Sequence, residues 1–261
     1  MLDRDRTTHP GDFASLLAAP PAVSVPVRAH SCATEGREPA PGVEGTTVLA
    51  LKYQGGVLNL GDRRATAANH VMFDRAEKII PLDDVTLLAV SGAYATAMEI
   101  ARYLQQAFAY YRRSQLQEIS LEGKISEISR AVAGALGGML SGIGGVLPVL
   151  SAYDAEAGEG RTFSYDGLGA RFETAEFGAA GSGSERIRGV FDYIVRAKGP
   201  FHERPLDDVL AEGLTLLDIA ASLDTATGGL DPLPLAFTVS AEGIERLSED
   251  RLRAACAAGG Y

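Results

Sequence analysis

Gly45-Thr46-Thr47-Val48-Leu49-Ala50-Leu51 is the stretch on which the reading of this chain turns. A small residue and two threonines lead into a run that alternates like a strand. On its own the run fits an ordinary strand start with turn chemistry in front of it. A second reading is chemical. A threonine hydroxyl is a poor nucleophile unless a base sits beside it, and the threonine's own α-amino group can be that base. That requires Thr46 to become the first residue, with residues 1–45 removed.

The segment before Thr46 suits removal. Residues 1–45 hold six of the twelve prolines, at Pro10, Pro20, Pro21, Pro26, Pro39 and Pro41. They show little amphipathic periodicity beyond Phe13-Ala14-Ser15-Leu16-Leu17, so an extension with one short apolar patch is expected. A signal peptide is disfavoured, because the start mixes Asp3 and Asp5 with Arg4 and Arg6 and prolines cut the apolar run.

Composition narrows the function classes. The chain has 261 residues, a formal net charge of −10 and no Lys/Arg cluster, which argues against nucleic acid or an anionic membrane as partner. Cys32 and Cys256 lie near opposite ends and make no disulfide framework, so a reducing cytoplasm is the default. The four histidines, His9, His30, His70 and His202, lack metal-ligand spacing, and neither a metal nor a cofactor is expected.

From Thr46 onward the chain reads as strands Thr47–Tyr53 and Val57–Leu60 joined at Gly55-Gly56, then strands Ala76–Pro81 and Val85–Ser91 ending at Gly92. Helical spacing follows over Ala93–Glu118, and a second helix starts at an N-cap, Ser120. Residues 131–153 carry no charge until the strand's end and have the length of a membrane span. Gly144-Gly145 and Pro148 would break such a span, so a buried helix end, a glycine turn and a strand Pro148–Asp154 are expected instead. A hairpin around Asp166-Gly167, a helix Glu185–Lys198, a helix Asp207–Leu223 closed by glycine capping at Gly228-Gly229, a strand Leu235–Ser240 and a helix capped at Ser248 complete the order. Strands and helices are not interleaved one for one, which disfavours a doubly wound parallel sheet. An α+β fold is expected, two antiparallel sheets stacked between two helical layers.

At this point the residues resemble the β-subunits of the 20S proteasome, in particular the bacterial, actinobacterial type, across essentially all of Thr46 to the C-terminus. Gly45-Thr46-Thr47 looks like that family's autocleavage site. Asp62, in Gly61-Asp62-Arg63-Arg64, stands sixteen residues after Thr46, and Lys78 thirty-two after it, both the family spacing. Gly92, Gly181-Ser182-Gly183-Ser184 and Asp224-Thr225-Ala226-Thr227-Gly228-Gly229 resemble the later motifs, with Thr227 where serine is frequent. The resemblance implies an N-terminal-nucleophile (Ntn) hydrolase, a four-layer αββα sandwich, with residues 1–45 a propeptide and 46–261 the catalytic domain.

The implied activity is a threonine endopeptidase made as a zymogen. Thr46 would be nucleophile and base, Lys78 would favour the alkoxide-like transition state with Asp62 as its partner, and the N–H of Gly92 would face the oxyanion. Ser182, Asp224 and Thr227 would hold the amine and a proton-relaying water. Val90 would form the base of the pocket for the residue before the scissile bond, with Ala65, Met72, Ala76, Ile80, Tyr94 and Met98 near its walls. None of these is charged, so an apolar side chain is expected there. Ala65 and Thr66 would bind the substrate backbone as an added strand. The implied partners are a homo-heptameric β-ring, α-subunit rings, an ATP-dependent unfoldase and unfolded protein substrates. Three other readings stay open: a simpler two-ring bacterial threonine protease working with an unfoldase, a structural β-subunit without catalysis, and an Ntn-type amidase for small molecules.

Overall fold

The computed structural model describes residues 46–67, 70–141 and 145–259. Gly45, Cys32 and the Phe13–Leu17 patch lie outside the described residues.

Alternation along the strands sets the architecture. In β1 (Thr47–Tyr53), Leu49 and Leu51 pack towards helices on one face, while Val48 and Ala50 face a second sheet on the other. β2 (Gly56–Gly61) repeats this, with Leu58 and Leu60 towards the helices and Val57 inward. After the ribbon β3 (Ala65–Ala67) and β4 (His70–Phe73) come β5 (Ile79–Asp83) and β6 (Thr86–Ala89), helices α1 (Tyr94–Gln115), α2 (Leu121–Gly134) and α3 (Leu136–Leu140), and strands β7 (Val149–Asp154), β8 (Glu159–Tyr165), β9 (Arg171–Thr174) and β10 (Phe177–Gly181). Helix α4 (Ser184–Lys198), a 3-10 turn at Phe201–Glu203, α5 (Leu206–Leu223), β11 (Leu235–Ser240), β12 (Gly243–Arg246) and α6 (Glu249–Gly259) follow.

The strands form two antiparallel five-stranded sheets, ordered β10-β1-β2-β11-β12 and β5-β6-β7-β8-β9. Three apolar layers hold them. Ile187 and Phe191 of α4 and Leu214 and Leu217 of α5 cover the first sheet; Leu104 and Phe108 of α1 and Ile125 and Ile128 of α2 cover the second. Between the sheets lie Val48, Ala50, Leu87, Ala89, Val149 and Val239. Each fully buried leucine or phenylalanine contributes about 1.5–3 kcal/mol, so the layering follows from the alternation. The fold is the expected αββα sandwich.

Several expectations need correction. The second hairpin begins at Ile79, not Ala76, because Ala76 is held by its N–H to the Arg63 carbonyl (2.9 Å) ahead of the strand. Helix α5 ends at Asp224 in an extended conformation rather than at a glycine cap; Gly228 instead donates its N–H to Asp62 (2.9 Å). The uncharged stretch begins as expected with a buried helix end, Ala131 and Val132 of α2 lying in the core, but it then adds the short helix α3, which has no buried residue and leaves Leu140 exposed. Among the described residues no helix is long and apolar enough to cross a membrane. Ser120 caps α2 as expected, accepting the Gly123 N–H at 3.2 Å.

Candidate active site

The open end of the β1–β2 hairpin brings Thr46-Thr47 against Asp62. Val48 pairs with Gly61, and the Asp62 N–H donates to the Thr47 carbonyl at 3.1 Å. The Asp62 carboxylate is fully buried and receives four donors. Oδ1 accepts from the Thr47 N–H (2.8 Å) and Lys78 Nζ (2.8 Å); Oδ2 accepts from the N–H groups of Arg64 (2.9 Å) and Gly228 (2.9 Å). Lys78, just ahead of β5, is equally buried and also donates to the Arg64 carbonyl. Burial pushes the Lys78 ammonium below the usual lysine range, and the Asp62 charge opposes that shift. An ion pair in such a place needs its donors and acceptors satisfied: the four donors do this for Asp62, and Lys78 adds the Arg64 carbonyl to its contact with Asp62.

A second network lies on the other side of Thr47. Asp224 Oδ2 accepts from the hydroxyls of Ser182 (2.6 Å) and Thr227 (2.7 Å). Burial alone would raise this carboxyl; hydrogen bonds from Ser182, Thr227 and the Ala226 N–H bring it below its ordinary value. Because the Thr227 proton points at a carboxylate, Thr227 Oγ is the acceptor in its 2.7 Å contact with Thr47 Oγ. Thr47 Oγ in turn accepts the Gly183 N–H at 3.1 Å. The Thr47 hydroxyl is therefore fully committed and completely buried.

Thr46 is placed differently. Its carbonyl accepts the Ser182 N–H at 3.2 Å, and Thr46 lines a cleft of about 500 Å³ together with Thr66, Ser91, Gly92, Ser182 and Ala226. Of the adjacent threonines, Thr46 belongs to the cleft and Thr47 to the scaffold. Two glycines make this approach possible. Gly181 has φ +105°, and a Cβ there would collide with the Thr46 carbonyl oxygen. Gly92 has φ +90°, and a Cβ there would collide with the Gly145 carbonyl, in the segment where Gly92 bridges to Val146. Gly92→Ala is expected to lower the melting temperature and to reduce any peptidase activity at least about 100-fold. A variant with wild-type melting and activity in a fluorogenic peptide assay would show that neither the backbone conformation nor the open space matters.

A family model described as Proteasome subunit matches residues 43–218. The chain belongs to the proteasome subunit family. A relative from Acidimicrobium ferrooxidans, named Proteasome subunit beta, is 33% identical over 255 residues, covering 95% of this chain and 89% of its own length. Another of the same name from Parafrankia sp. is 33% identical over 224 residues, covering 83% of this chain and 80% of its own. The chain is thus similar along most of its length to proteasome β-subunits of actinobacteria.

Six of the expected site residues in this proteasome-family chain are accounted for: Asp62, Lys78, Ser182, Asp224 and Thr227 belong to the two networks, and Thr46, with Ser182 and Gly92, lines the cleft. The expected specificity residues divide. Ala76, Ile80 and Val90 are buried near Lys78, whose carbonyl accepts the Val90 N–H (2.8 Å). Tyr94 opens α1 with its hydroxyl on the Glu77 carbonyl (3.2 Å), and Met98 packs partly buried against the α1 core. Met72 is exposed on β4, and of the whole set only Thr66 lines the cleft beside Thr46. Ala65 and Thr66 lie in β3, which pairs with β4 on one edge only among the described residues. Three participants were not anticipated: Thr47, Gly228 and Arg64, whose Nη1 reaches the carbonyls of Thr225 (3.2 Å) and Thr227 (3.3 Å) and so ties the two networks together.

Proposed function

We propose that this chain is the catalytic β-subunit of a 20S-type proteasome core, a threonine endopeptidase that releases its own N-terminus by cleaving Gly45–Thr46. The observation that carries the reading is the contrast between the two threonines: Thr47 is locked by Gly183 and Thr227 between the Asp62–Lys78 and Ser182–Asp224 pairs, while the adjacent Thr46 lines the cleft together with Ser182 and Gly92. In self-cleavage Thr46 Oγ attacks the Gly45 carbonyl, the C–N bond breaks as an ester forms, and water hydrolyses the ester. The freed amine then serves as general base for Thr46 Oγ in each substrate turnover. Lys78 stabilises the alkoxide, Gly92 the oxyanion, and Ser182, Asp224 and Thr227 orient the amine and its water.

The intact mass of the protein co-expressed with its α-subunit tests this reading. Wild type should begin at Thr46, and Thr46→Ala should retain residues 1–45. Unprocessed wild type in assembled rings would overturn it.

Substrates are unfolded polypeptides, bound as an added strand along the single-paired β3. The uncharged set around Val90 gives an apolar preference before the scissile bond. Leucine or tyrosine there is expected to exceed arginine by at least about tenfold in kcat/KM, each tenfold being about 1.4 kcal/mol of differential binding; a basic residue cleaved best would disprove the pocket. The subunits form heptameric β-rings between α-rings, fed by an ATP-dependent unfoldase in the cytoplasm. Exposed apolar side chains at Val71, Met72, Phe73, Leu140 and Phe172 support burial against neighbouring subunits.

The pH profile carries a signed expectation. Activity rises as the Thr46 amine loses its proton, the ordinary value for a free α-amine being about 8. It falls again when Lys78 loses its own. Because burial lowers Lys78, the alkaline limb should lie below 10.5, the ordinary lysine value. A limb at or above 10.5 would mean that Lys78 is not the group being titrated.

A further inference from the structure

Away from the cleft, four arginines from separate parts of the chain surround one polar hollow of about 470 Å³. Arg63 follows Asp62, Arg75 precedes β5, Arg246 ends β12 and Arg253 lies on α6; Asp231 and Glu249 are the acids facing them. In a chain of net charge −10 this is a local excess of positive charge. Pairing does not remove it. Arg253 meets Glu249 at 3.0 Å, and Arg246 meets Glu77 only at 3.5 Å. Arg63 and Arg75 have no ion-pair partner among the described residues. The Nε–H of Arg63 is buried with no hydrogen-bond partner among the described residues, so its guanidinium is left incompletely satisfied beside the hollow. Arg246 is pre-positioned, its guanidinium 5.7 Å from the centre of the Phe237 ring.

We propose that this hollow binds a phosphate-class oxyanion, either inorganic phosphate or the phosphate of a small polar monoester. Guanidinium forks suit tetrahedral oxyanions because each can give two parallel N–H donors. The four cations exceed the two lining carboxylates by two, and by one when the Glu77 partner of Arg246 is counted, so the hollow keeps a positive balance that favours an anion. The volume lies within the range of small-molecule sites, and the polar lining excludes an apolar ligand. Arg63 connects the site to the catalytic cluster. It lies between Asp62 and Arg64, whose carbonyl receives Lys78, and its own carbonyl receives the Ala76 N–H. A bound anion would therefore brace the segment that presents both members of the buried ion pair, independently of whether Thr46 is the nucleophile.

The test titrates inorganic phosphate and, separately, glycerol 3-phosphate into the full chain, with ionic strength held constant by sodium chloride. The ³¹P linewidth and the melting temperature are followed in wild type and in the surface variant Arg75→Gln/Arg253→Gln. Saturable broadening in wild type is expected, with a rise in melting temperature of about 3–6 °C at ten times Kd, and at least about tenfold weaker binding in the variant. A response to inorganic phosphate alone identifies the free ion as the source; a stronger response to glycerol 3-phosphate identifies the monoester. Equal responses in wild type and variant would reduce the effect to non-specific salting and overturn the proposal. So would binding by the isolated chain that vanishes in assembled rings, which would assign the arginines to a subunit contact.

Discussion

Thr46→Ala is expected to take peptide hydrolysis below detection, a loss of at least about 10⁴-fold in kcat/KM, whereas Thr47→Val should fail by a different route. Alanine at 46 removes the oxygen proposed to attack, while the neighbouring backbone contacts, Ser182 N–H to the Thr46 carbonyl and Thr47 N–H to Asp62, do not use that side chain. These two backbone contacts should therefore survive the substitution, and the chain should still fold. Retained residues 1–45 could block the cleft in this variant, so the decisive comparison uses chains expressed to begin at residue 46. The alanine form should remain inactive there and the serine form active. Valine at 47 keeps the shape but strands the Gly183 N–H and removes the donor to Thr227. A buried donor left unpaired costs about 1–3 kcal/mol, or roughly 2–12 °C of melting temperature for a domain of this size. If Thr46→Ala keeps a tenth of wild-type activity while Thr47→Val loses all of it, the two roles are reversed.

The parts that could be read in the sequence are those with a period or a fixed spacing. Leu49 and Leu51 against Val48 and Ala50 announce a strand with two buried faces, and hence a sandwich. Asp62 and Lys78 could be placed from their distance to Thr46 once the resemblance was recognised, because all three lie on adjacent strand ends of rigid sheets. The contacts of Thr47 were not legible: they join residues 136 and 180 positions apart, and nothing local distinguishes a structural threonine hydroxyl from a reactive one. Gly228-Gly229 has the composition of a helix cap, but its location after an extended Asp224 turns Gly228 into a donor to Asp62. β4 also left no periodic trace, since all four of its residues are exposed and neither face selects for apolar side chains. The arginine hollow escaped for a related reason, its four members being spread from position 63 to 253.

Asp62→Asn should be the most damaging isosteric change in the molecule. Both carboxylate oxygens accept two donors: Thr47 N–H and Lys78 Nζ on one, Arg64 and Gly228 N–H on the other. An asparagine amide has one oxygen and one NH₂, so either orientation turns a donor towards two donors. At the same time the Lys78 cation loses its counter-charge in a site that already lowers its pKa. Breaking a buried pair in this way costs about 3–5 kcal/mol, a fall of roughly 6–20 °C in melting temperature, and activity should drop at least about 100-fold as the ammonium neutralises. Lys78→Met isolates the second effect, since it leaves Asp62 with three backbone donors but removes the buried positive charge. The double variant Asp62→Asn/Lys78→Met no longer buries a lone cation, so it should melt above Asp62→Asn while remaining inactive. That divergence, stability partly regained and catalysis not, separates an ion pair that builds the site from one that also acts in it. If Lys78→Met alone retains wild-type kcat/KM, the charge has only a structural role.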